Sequence, residues 1–366
     1  QELRAVSAPG DSPWRWLAGA FYYKTSLYDC ANIGAGNNLP LQLPQIPGPL
    51  TGLLPNPCPG NVPLLDGQIN IAELSGDIDL QEHALFGELT RSLGEDWEVT
   101  LGARAYRLQA VGAVTTAGAV YASQNNLMRV TRTNGVSERG ISPKASIVFA
   151  PTQDLRSYFT VSRGFRFGGP NIIASIPGQE APEVYKSDSL WNYELGLRTD
   201  WLDRTLRVDV SAYHIDWTNP QVFQQQKIGA LPVGNFIDNV GSAQGNGVEL
   251  SLRYLLPWIP GLSLDASGAW NETVTTAEFT SVSGELVPTG SPWPLSPRWQ
   301  TASTVAYAQP IKDWQAGVSL RHMYMSKACN SIECTGKVFG YRQMDLNVFA
   351  SGPEGSWWPQ LSLSLN

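Results

Sequence analysis

Histidine, cysteine and arginine carry the widest chemical reach in this chain, and their spacing decides what chemistry is open to it. The three histidines are His83, His214 and His322. None stands beside a serine or cysteine in a nucleophile elbow, so the pattern argues against a hydrolase, and no enzymatic activity is expected. His214 continues the apolar face of Val210 and Ala212, and His322 that of Val318 and Leu320, which predicts two outward-facing rim residues. The four cysteines fall in two close pairs, Cys30 with Cys58 and Cys329 with Cys334. Neither pair has CxxC spacing and no histidine adjoins either, so no zinc site is expected. Both pairs sit in polar, loop-like sequence, which predicts two disulfides closed in an oxidising compartment. The glycine-rich residues 164–169 (GFRFGG) precede no helix that would aim N–H groups at a phosphate. No metal or cofactor is expected.

The elements that must hold these groups read as strands. Trp97, Val99, Leu101, Ala103 and Ala105 alternate with Glu98, Thr100, Arg104 and Tyr106. Leu206, Val208, Val210 and Ala212 oppose Arg207, Asp209, Ser211 and Tyr213, and Val318 and Leu320 oppose Ser319 and Arg321. About fourteen such segments recur, a number that fits a barrel better than a sandwich. The 366 residues include 35 glycines and 26 prolines, so long helices are unfavoured. No apolar run approaches the roughly 18 residues of a membrane-crossing helix. The net charge of −7, with no basic block, argues against a nucleic-acid partner.

Connections alternate short and long. The short ones are residues 93–96, 151–154, 202–204, 257–261, 309–313 and 351–355; the long ones run near 29–76, 113–140, 167–190, 218–245, 273–296 and 327–340. This alternation gathers all tight turns at one end and all large loops at the other, the plan of an all-β, antiparallel transmembrane barrel. The 13 tryptophans sharpen that reading. Trp14, Trp16, Trp97, Trp201, Trp258, Trp314, Trp357 and Trp358 lie by short connections, and Trp191, Trp217, Trp270, Trp293 and Trp299 lie toward long ones, as two interfacial belts would require. The face opposite the apolar stripe then lines a lumen. Arg104, Tyr106, Ser162, Arg166, Tyr213 and Arg321 are expected in its upper half.

Residues 84–106 (ALFGELTRSLGEDWEVTLGARAY), 142–171 (SPKASIVFAPTQDLRSYFTVSRGFRFGGPN) and 192–222 (NYELGLRTDWLDRTLRVDVSAYHIDWTNPQV) resemble barrel hairpins of TonB-dependent outer-membrane receptors. Residues 1–4 and 247–250 fit the same family. The resemblance implies part of a 22-stranded barrel, about 14 strands of it, in the Gram-negative cell outer membrane. It implies outer-membrane lipid and the TonB complex as partners, the latter through a plug segment that this sequence does not show. With no plug, no TonB-contacting segment and no closing strand at Asn366, residues 1–366 are expected to be an incomplete barrel domain. The implied function is uptake of a scarce, bulky nutrient, in the commonest case a ferric siderophore. Arg104, Tyr106, Arg166, Tyr213 and Arg321 would serve as its ligand-binding residues, since guanidinium groups and aromatic faces suit anionic chelates. Two alternatives remain: a passive porin-type channel, which needs an inward constriction loop and no plug, and a secreted carbohydrate-binding or hydrolytic β protein, which needs polar outward faces.

Overall fold

The computed structural model describes residues 1–8, 10, 12–36, 68–118, 130–172, 179–228, 231–352 and 361–365. Strands β1 (Glu2–Val6), β2 (Trp14–Gly36), β3 (Gln68–Leu93), β4 (Trp97–Gly118), β5 (Val130–Thr152) and β6 (Leu155–Arg166) come first. A short hairpin, β7 (Gly169–Pro170) with β8 (Val184–Tyr185), leads to β9 (Asp188–Trp201) and β10 (Leu206–Thr218). A second, β11 (Gln221–Ile228) with β12 (Leu231–Asn239), stands before β13 (Ser242–Leu255) and β14 (Leu262–Thr275). The pair β15 (Phe279–Thr280) and β16 (Leu286–Val287) precedes β17 (Trp299–Ile311) and β18 (Trp314–Met325). The last pair is β19 (Ala328–Cys329) and β20 (Lys337–Val338), followed by β21 (Tyr341–Ser351) and β22 (Leu361–Leu365).

Fourteen of these strands form one antiparallel sheet in which each pairs with the next sheet strand along the chain, and the remaining strands make four two-stranded hairpins. The expected count and the all-antiparallel meander are both present. All four hairpins belong to the long connections, so they collect at one end of the sheet. At the opposite end tight turns join β3 to β4, β5 to β6, β9 to β10, β13 to β14 and β17 to β18; in two of them Gly94 and Gly261 take positive φ values of 68° and 88° that a side chain would resist.

The outward face is a continuous apolar surface. Leu85, Leu101, Leu195, Leu197, Val248, Leu250, Val318 and Leu320 all stand on it exposed, Leu101 at 60% and Leu195 at 59%. A soluble protein rarely tolerates apolar patches beyond a few hundred Å², whereas acyl chains cover such a face at no cost. Trp14, Trp16, Trp97, Trp201 and Trp258 edge it at the turn end, and Trp191 and Trp299 edge it at the loop end. His83 contacts Tyr22, His214 contacts Tyr193, and His322 pairs in register with exposed Met344, so all three sit on this outer side.

Two expectations change. Strand extends into both ends of the long connections 29–76 and 113–140, since β2 continues to Gly36, β3 starts at Gln68, β4 reaches Gly118 and β5 starts at Val130. The reason is visible in β4. Up to Ala105 the apolar residues point outward; beyond Tyr106 the apolar Leu108, Ala110 and Val114 are buried on the inner side, while Arg107, Gln109 and Thr115 alternate with them. The alternation survives but changes sign where the strand leaves lipid, and a reading that follows one stripe loses it there. Trp217 and Trp293 also leave the proposed belt: their rings pack on each other, 4.8 Å apart, inside the loop end. Finally, Cys58 and the Cys30 side chain lie outside the described residues, so the Cys30–Cys58 pairing does too. Cys329 and Cys334 are joined as a disulfide, with Cα atoms 4.8 Å apart.

Candidate ligand-binding site

The loop end carries its own core. Val222 of β11, Val240, Val287 of β16 and Ile332 are each at most 4% exposed and pack together, with Phe279 and Trp293 against them. These residues come from three different connections, and Ile332 is presented by the small ring that the Cys329–Cys334 disulfide closes. The fourth connection, between β6 and β9, is tied in by a buried amide. Asn171 Nδ2 donates to the carbonyls of Pro182 and Ile237 at 2.8 Å, and Ile237 N–H donates back to Asn171 Oδ1 at 2.9 Å. Gln226, 1% exposed, donates to the Gln179 carbonyl at 2.6 Å. Burying polar groups is costly unless every one is bonded, so these amides fix how the loops meet. The result is a cap of four loops above the lumen.

Asp188 anchors the cap to the wall. It is 2% exposed and receives Arg166 N–H at 2.9 Å, Arg166 Nε at 2.8 Å and Trp217 Nε1 at 3.0 Å. Arg166 Nη2 also bonds Asp188 and reaches the Gln221 carbonyl at 3.0 Å. The guanidinium lies 4.9 Å over the Trp217 ring. A buried carboxylate with this many donors is held firmly in place, and most of the guanidinium is committed to it.

A cavity of about 1020 Å³ opens between the loops. Its lining includes Arg166, Phe223, Gln225, Asn235, Trp293 and Glu333. Of the five residues expected to bind ligand, Arg166 is the one that lines it. Arg104 sits a third of the way along β4, where its Nη2 meets buried Glu82 at 2.5 Å and its guanidinium lies 4.8 Å over Phe21. Tyr106 stacks on Phe165 at 3.8 Å. It also lies across Gly140, its register partner, just as Tyr213 lies across Gly247; a methyl group on either glycine would overlap the ring. Arg321 stands opposite Thr304 and Asp345 in register and lines a separate recess of about 380 Å³ in the wall with Arg253 and Asp265. The structure therefore groups Arg104 with Tyr106, brings Arg166 to the cap, and leaves Tyr213 and Arg321 on other strands. The residues missed are Phe223, Gln225, Asn235, Trp293 and Glu333. The one available signal was the glutamine run 224–226 inside a long connection.

The cap also holds a titratable bolt. Gln224 Nε2 donates to Asp238 Oδ2 at 3.0 Å, and the other end of the same amide accepts Val282 N–H at 2.7 Å. Burial pushes the Asp238 carboxyl above its ordinary range, against a smaller opposing pull from the Asn239 N–H. A raised folded value means that the folded cap binds the proton more tightly than the unfolded chain. Stability is then greatest below the ordinary carboxylate value and falls as pH rises through the raised one. Thermal melts across mildly acidic pH should show this decline, and Asp238→Asn should abolish it. A decline that persists in the variant would assign it elsewhere.

Comparison with known proteins agrees with this architecture. A family model described as "TonB dependent receptor-like, beta-barrel" matches residues 6–366. The ferric yersiniabactin uptake receptor FyuA from Yersinia pestis superposes with a TM-score of 0.68 at 16% identity, covering 95% of this chain and 45% of that one. The siderophore receptor PiuA from Acinetobacter baumannii gives 0.66 at 15% identity, covering 99% and 50%. The copper transporter OprC gives 0.60 at 15% identity, covering 99% and 49%. The chain thus spans about half the length of each, as its coverage of 45–50% shows.

Proposed function

The chain belongs to the family of TonB-dependent receptor-like β-barrels, and on that premise we propose that it forms part of the wall and cap of an outer-membrane uptake receptor. The family consists of transporters rather than enzymes, and the wall has the lipid-facing surface that residence in an outer membrane requires. The reading includes a plug elsewhere in the whole receptor, against the inner wall, that moves when TonB draws on it. The ligand we propose is a ferric siderophore. The names of FyuA and PiuA support that class, while OprC, named for copper, shows that the same architecture is found with another cargo.

The observation that carries the proposal is the cavity of about 1020 Å³ between the loops, above a wall built for lipid. It has the size of a small-molecule site. Arg166, Phe223 and Trp293 bound it, with Arg104, Tyr106, Tyr213 and Arg321 on the wall below as the surface the ligand meets on its way down. The test is uptake of a radiolabelled ferric chelate by iron-starved cells whose sole receptor is the intact protein. Uptake should saturate and should stop when TonB is deleted. Uptake that is non-saturable and indifferent to TonB would make the protein a passive channel instead.

A further inference from the structure

We propose that the outer face of the wall carries a site for the phosphate of a membrane lipid, built on Arg107 and Arg139 at the loop-end border of the apolar band. The inference rests on the reading that this face stands in lipid, and it names the headgroup chemistry that the face selects.

Arg107 of β4 and Arg139 of β5 are register partners, and both are exposed. Leu101, 60% exposed, precedes Arg107 on the lipid side, and Ile141, 58% exposed, follows Arg139. The residues that alternate with them, Leu108 and Glu138, turn inward, the first fully buried and the second bonded to Ser187. Side chains directly opposite in an antiparallel pair have Cβ atoms about 4.5–5.5 Å apart, and like charges placed so repel. Other arginines of the wall are matched with carboxylates, as Arg15 is with Glu98 and Arg207 with Asp200. Among the described residues neither Arg107 nor Arg139 has a carboxylate or hydrogen-bond partner. Glu82 is held on the inner side by Arg104, and Asp79, higher on the outer side of β3, takes the Ser26 hydroxyl. Two repelling cations without an internal anion are relieved by an external one, and paired guanidinium forks fit phosphate oxygens.

Height decides which anion that is. Trp97 marks the turn-end border on β4, and Arg107 stands ten residues further on. That length is about 33 Å of strand, which at a tilt of about 40° rises about 25 Å, the height of an outer-membrane apolar band. Register carries the same border across four strands, since Tyr22, His83, Arg107 and Arg139 share one row. The row beneath holds Leu85, Ala105 and Ile141. Hydrocarbon therefore gives way to headgroups at the arginine pair, and phosphate is the anion found there. Leu3, Leu85 and Ala105, with Tyr22, His83 and Arg107 above them, line an open recess of about 630 Å³. Glu2, at the edge of that recess, is engaged by Arg4. Gln81 Nε2 donates to the Tyr22 hydroxyl at 3.3 Å and to His83 Nε2 at 3.1 Å, which fixes the aromatic ledge beside Arg107. An acyl chain in the recess would bring its phosphate to the guanidinium groups.

The experiment is native mass spectrometry of the intact receptor, stripped of lipid in detergent and titrated with phosphatidic acid or phosphatidylcholine of identical chains. Phosphatidic acid should bind at least about tenfold more tightly, and millimolar inorganic phosphate should not displace it. Arg107→Gln with Arg139→Gln should remove that preference and leave phosphatidylcholine binding unchanged. Each single substitution should lower the preference by itself, which keeps the test open if the double variant does not fold. Equal binding of the two lipids, or a preference that survives the substitutions, would overturn the site while leaving the wall in lipid. Displacement by inorganic phosphate would make the pair a free-anion site and overturn the lipid assignment. Binding of neither lipid would overturn the lipid-facing wall and this inference with it.

Discussion

Arginine in place of Val210 should cost about 2–4 kcal/mol of folding stability in a lipid bilayer, and arginine at the adjacent Ser211 less than about 1 kcal/mol. Val210 pairs in register with Leu197 and Leu250, both exposed on the outer face, and it lies near the middle of the apolar band. A guanidinium there must either enter hydrocarbon or bend along the wall toward water. Ser211 pairs with Gly196 and Glu249 on the other side, where water and a carboxylate receive the new charge. Reversible unfolding in lipid vesicles of both variants gives the comparison. Equal costs at the two positions would mean that the faces have been assigned wrongly.

A loss of similar size is expected at the hinge between wall and cap. Arg166→Met strips Asp188 of its cationic partner while leaving the carboxylate 2% exposed. Breaking a buried pair from one side costs about 3–5 kcal/mol. Because the Arg166 side chain is half exposed, about 2–4 kcal/mol is the better expectation. Trp217 Nε1 and the Arg166 backbone N–H still bond the carboxylate, so the wall strands should hold while the cap loosens. Protease sensitivity confined to the β11–β12 connection would report that loosening. Adding Asp188→Asn to Arg166→Met removes the unpaired charge and should recover more than half of the loss. A single variant as stable and protease-resistant as the parent would show that the pair does not anchor the cap.

How far the sequence reveals this structure depends on what constrains each part. The wall between Trp97 and Ala105, or between Leu206 and Tyr213, is legible because lipid on one side and water on the other force strict alternation. The same rule explains why the strand count and the meander could be read. Leu108, Ala110 and Val114 obey alternation too, but with the apolar side turned inward against the segment that carries Pro170 and Ile172. Their environment is set by a loop more than fifty residues away, which no local pattern reports. The site suffers more from this than the fold. Arg104 and Arg166 are visible as polar residues on the inner face, yet Glu82 and Asp188, which hold them, are ordinary carboxylates until the sheet brings them close. The alternation places Tyr106 and Tyr213 on the inner face as candidate ligand-binding rings; each lies across the glycine opposite it, Gly140 or Gly247, and so packs against the wall. Val222, Val287 and Ile332 stand in unrelated loops and carry no shared period, so their meeting had no signature.

That meeting bears on how such a protein can change over generations. Surface loops are usually the freely varying parts of a barrel, each open to replacement without reference to the others. Here Val222, Val240, Val287 and Ile332 fill one another's space, and Asn171 and Gln226 spend their amides across loop boundaries. A loop borrowed singly from another receptor would arrive with the wrong volume for its neighbours and leave a void or a clash. New specificity is therefore more readily inherited as a matched set of loops, or built by substitutions at the cavity edge such as Phe223 and Glu333, which the shared core does not hold.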